Sequence, residues 1–169
     1  MPKLRRRQHP LPVRPRTVIG LWLRALLLRQ AEVRRRLSPK LNGGKLGFNP
    51  DEAGVVEAAC EIAVQLQWGA EYDVSDISDA VSFMRKASLA KGKTPPYGQL
   101  EMEAVIRSAL GEANVDIDGI PRPLMFEMQI ASTGYVAANL SWPEREIDRV
   151  VVDAEQVAFE RGWAPPLAT

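Results

Sequence analysis

The chain has 169 residues, of which 46% are hydrophobic and 25% charged. That supports one domain with its own core, is too short for two large domains, and excludes wholesale disorder. A single cysteine, Cys60, excludes an intramolecular disulfide and a multi-cysteine zinc site. The formal net charge of +1 conceals a split. Residues 1–45 carry thirteen Lys and Arg against Glu32 alone, and the rest carries nine against twenty Asp and Glu. Each part therefore makes its own local field.

Residues 1–16, with four prolines and no helical period, predict a basic extended arm. Thr17 is placed to cap a helix over 17–37, in which Ile19, Leu23, Leu26, Gln30, Val33 and Leu37 recur at spacings of three and four. This spacing predicts an amphipathic helix projecting from the body and packing against another helix. Its apolar part, Val18 to Leu28, is interrupted by Arg24 and falls short of the roughly 18 residues of a membrane span. No small-residue cleavage site follows it, so neither a cleavable leader nor a membrane anchor is expected, and a cytoplasmic location or a place in a soluble assembly is. Residues 38–49 predict a glycine-rich linker.

An acidic helical body is predicted over 50–169, giving a mostly α, bundle-like fold. Asn49 caps and Pro50 starts a first body helix that runs to about Gln67. Further helices are expected over 75–90, with Asp73 or Ser75 as cap, and over 97–110, stopping at Gly111. Leu124 to Leu140 alternates like a strand at Phe126, Met128 and Ile130, but its alanines and length favour helix. Ser141-Trp-Pro-Glu144 reads as a capping box for a last helix ending at Gly162.

Four patterns invite chemistry and are better explained locally. Asn114, Asp116, Asp118 and Gly119 match the start of a calcium loop, but Arg122 and Met125 occupy positions that need oxygen ligands, so an Asx turn is expected. Glu71, Asp73, Asp76 and Asp79 surround a helix start, where carboxylates complement the dipole; the same cluster could also dock a basic arm. Gly43-Gly44-Lys45 lacks the spacing of a phosphate loop. His9 and Cys60 lie on an arm and on a helix face, which gives a buried thiol rather than a catalytic pair.

These patterns predict a non-enzymatic binding or assembly protein with no catalytic residues, metal site or cofactor. Arg5, Arg6, Arg7, Arg14, Arg16, Arg34, Arg35 and Arg36 would contact an anionic macromolecular partner. Ile19, Leu23, Leu26, Val33 and Leu37 would supply the apolar face. Another protein or copies of the same chain are the expected partners, and no small-molecule ligand is inferred. A nucleic-acid-binding regulator with a helix-turn-helix among residues 75–111 is the alternative. A peripheral protein of anionic membranes, or an enzyme of unassigned chemistry, follows.

Overall fold

A computed structural model of the chain describes residues 13–69 and 71–169. Within them lie α1 (Val18–Leu27), α2 (Ala31–Leu37), a 3₁₀ segment (Ser38–Gly44), α3 (Pro50–Trp68), α4 (Val74–Ala90), α5 (Gln99–Ala109), α6 (Arg122–Asn139) and α7 (Glu144–Glu160). The mostly helical class expected from periodicity is therefore correct, and 124–140 is helix. There the Ser132 and Thr133 hydroxyls donate back to the carbonyls of Met128 and Gln129 one turn earlier.

The helix starts are set by local chemistry. Thr17 Oγ1 accepts from the Gly20 amide at 2.9 Å, and Asn49 Oδ1 accepts from the amides of Asp51 and Glu52. Asp73 Oδ1 accepts from Ser75, and the Glu101 carboxylate reaches back to the Gly98 amide.

The helix ends explain two departures from expectation. α4, α5 and α7 close with a left-handed residue at Gly92, Gly111 and Gly162, each followed by an amide bonded five residues back. The same motif closes α1 at Arg29 (φ 57°), where Gln30 N bonds Ala25 O, and α6 at Ser141 (φ 50°), where Trp142 N bonds Ala137 O. The single helix expected over 17–37 is thus two helices broken at Arg29. The capping box at Ser141 does not form, because Ser141 ends α6 and α7 starts after Pro143.

Most of the core is organised by α3. Its Val55, Val56, Ala58 and Ala59 pack with Ile19 and Leu23 of α1 and with Ile147, Val151, Ala154 and Ala158 of α7. Further along, Cys60 and Val64 pack with Ile77, Val81 and Met84 of α4, Met102, Val105 and Ile106 of α5, and Met128 of α6. The Trp163 indole lies across Gly54, where any Cβ would sit 2.5 Å from the ring.

α1 does not project. Ile19 and Leu23 are fully buried in the body. Glu155 of α7, 1% exposed, accepts from the Thr17 amide at 2.8 Å, the Thr17 hydroxyl at 2.6 Å and the Arg16 amide at 3.1 Å. A buried carboxylate thereby sits on the positive end of α1. The C-terminal tail completes the clasp through Val18 N to Pro166 O and Ala168 N to Arg16 O.

Gly20 leaves room for this carboxylate, since a Cβ there would fall 2.1 Å from Glu155 Oε1. Gly20→Ala must displace Glu155 from its donors. We predict that it lowers unfolding free energy by about 3 kcal/mol, combining overpacking with lost charged hydrogen bonds. A urea titration read by circular dichroism checks this, and an unchanged midpoint contradicts it.

Candidate functional site

Of the eight expected anion contacts, the five that are described do not form one patch. Arg5, Arg6 and Arg7 lie outside the described residues. Arg14 is exposed, and Arg16 places its guanidinium 4.7 Å from the centre of the Phe159 ring. Arg34, Arg35 and Arg36 are on α2, beyond the far end of α1, whose ten residues span about 15 Å. Arg24, between them, is committed to Asp148 and Glu144 of α7.

Residues 29–47 form a peripheral lobe in which no residue is buried. It carries Arg29, Arg34, Arg35, Arg36, Lys40 and Lys45 against Glu32. Glu32 pairs with Arg35 at 3.3 Å and Arg36 at 3.6 Å, leaving a positive surplus. The lobe is nevertheless anchored. Trp22 Nε1 donates to Ser38 Oγ, and the Asn42 amide donates to Glu52 of α3 at 2.7 Å.

The expected apolar partner face is also divided. Ile19 and Leu23 are consumed by the core, so they cannot serve an external helix; Leu26 packs partly against the same core. Val33 is 40% exposed and Leu37 half-buried, and only these two lie on the lobe.

At the other end of α3 an unanticipated recess of about 470 Å³ opens beside α4 and α6. Trp68 and Tyr135 stack within it at 6.4 Å, and Phe83, 64% exposed, leans on Tyr135 at 6.0 Å. Tyr72 joins them, its hydroxyl fixed by a 2.5 Å bond to Glu112. Glu71, Asp76 and Asp79 line the same recess. Among the described residues none of these three carboxylates is ion-paired. Asp76, Asp79 and Phe83 fall on one face of α4 at spacings of three and four, a signal the sequence did contain.

A second cleft, about 320 Å³, lies between the start of α3 and the 117–126 segment, with Phe48, Phe126 and Trp163 on its walls. Burial, then the neighbouring Glu61 charge, pushes the Glu57 carboxyl up, while Arg161 and Arg122 oppose this. Among the described residues no Cys, Ser, Thr or Lys lines this cleft. The Asp116 to Asp118 stretch is the expected Asx turn, with Asp118 N bonded to Asp116 Oδ1 at 3.0 Å. Among the described residues no group of three metal-ligating side chains converges, and no helix is long and apolar enough to cross a membrane. The connection between α4 and α5, residues 91–98, exceeds the short turn of a helix-turn-helix.

No family model, curated protein or solved structure matches this chain.

Cys60 is 1% exposed, and burial pushes its thiol up to about 12. Thiolate is the reactive form, so the native protein should resist Ellman's reagent at pH 8 while the urea-unfolded chain reacts fully. Rapid native labelling contradicts this.

Glu52 is also buried, and its Oε2 has no partner among the described residues. Desolvation holds its carboxyl above the ordinary value, against the Asn42 hydrogen bond. The folded state therefore binds this proton more tightly than the unfolded chain. The stability it contributes is present below the ordinary carboxyl pKa and lost as pH rises through the raised one. The stability of Glu52→Gln relative to the parent should increase between acid and neutral pH. Parallel denaturant melts across that range test the sign.

Proposed function

We propose that this chain is a non-enzymatic binding or assembly protein that engages an anionic surface of another protein, or of a further copy, through its basic lobe. The observation supporting this is the lobe itself: six cations against one carboxylate, anchored at two points and contributing no buried residue. A segment kept folded while lending only the partly buried Leu41 to the edge of the core is available for contact. Its exposed arginines present planar, multidentate donors suited to carboxylates. The cations of residues 3–14 would add to the same attraction.

Retention on immobilised heparin, a generic polyanion, tests the lobe. Arg34→Glu, Arg35→Glu and Arg36→Glu combined should elute at markedly lower salt than the parent. The log–log salt dependence should shrink by about 3, as expected for three lost contacts. A chain lacking residues 1–12 separates the arm's contribution. If the triple variant elutes with the parent, the lobe is not the contact surface. Tight, steeply salt-dependent binding to random duplex DNA would instead support the nucleic-acid alternative.

A further inference from the structure

The recess at the end of α3 has the chemistry of a cation site. Ring faces of Trp68 and Tyr135, with the largely exposed Phe83, offer negative quadrupole surface. Asp76, Asp79 and Glu71 add carboxylates that pair with no cation among the described residues. Aromatic faces bordered by acids favour a guanidinium, which can stack and donate in its plane at the same time.

The lobe carries such groups, but its own recess is out of reach. The Asn42 amide fixes the lobe to Glu52 in the first turn of α3, whereas Trp68 is the last residue of that helix. The intervening stretch spans about 24 Å at 1.5 Å per residue. Complementary charges fixed at opposite ends of one rigid helix can meet only between molecules.

We propose that the recess receives arginines of the basic lobe of a second copy, so that copies associate head to tail. This rests on the basic lobe being a contact surface and specifies its partner. Such a contact is heterologous: a pair of copies keeps one free lobe and one free recess, so association continues into a ring or an open chain. Rising salt weakens it, because both partners are exposed charges.

Sedimentation of the full chain at low and high ionic strength provides the test, using variants confined to exposed positions. The parent should form species larger than a dimer at low salt and dissociate as salt rises. Asp76→Lys with Asp79→Lys should weaken association about tenfold or more, as should Arg35→Glu with Arg36→Glu. Phe83→Ala should weaken it at unchanged net charge. Mixing the recess-reversed and lobe-reversed variants should restore association beyond one copy of each, because every lobe then meets a recess of opposite charge on the other variant. Thermal melts of each variant confirm the fold.

A parent that stays monomeric at low salt overturns the proposal, as does association indifferent to Asp76, Asp79 and Phe83. Heparin retention separates the two readings. A monomer whose retention depends on Arg34–Arg36 leaves the basic contact surface standing and removes only the self-docking.

Discussion

The architecture depends on one buried carboxylate. Glu155, in the C-terminal half of α7, meets the start of α1 and accepts from the Thr17 cap amide and hydroxyl and from the Arg16 amide just before it. Desolvating a carboxylate is costly, and here the hydroxyl, two amides and the helix dipole offset that cost together. The contact turns α1 from a separate N-terminal element into part of the core. It also sets where the C-terminal tail can pair, since Pro166 and Ala168 bond the backbone on either side of Thr17.

Docking α1 in this way changes which basic residues face solvent. Arg24 is drawn into α7's acidic face and Arg16 onto Phe159, so neither belongs to a continuous cationic stripe. Positive charge without a local partner collects instead on the 29–47 lobe, beyond the left-handed turn at Arg29. That turn is what makes the lobe distinct: had the helix continued, Val33 and Leu37 would have stayed in line with Ile19 and Leu23.

At the opposite end of α3 the polarity is reversed, with aromatic rings and unpaired carboxylates sharing one recess. The α4 dipole accounts for carboxylates at its first turn, as Asp73 and Asp76 illustrate, but not for Phe83 standing 64% exposed two turns later. A large apolar side chain left in water next to acids is the feature that a local helix-end argument leaves over.

Sequence alone determined the helical class, most helix starts and the charge split, because capping, proline, glycine stops and periodicity act within four or five residues. Asn49-Pro50, Asp73, Gly111 and Gly162 all behave as their local chemistry dictates. It did not give the break at Arg29 or the turn at Ser141, since nothing local distinguishes an arginine or serine that will adopt the left-handed region from one that will not. Nor did it give the fate of α1. The partner of Thr17 lies 138 residues away, and only the folded chain brings Glu155 to it. The recess has the same origin: Trp68, Phe83 and Tyr135 belong to three helices, and their meeting is a property of how those helices pack.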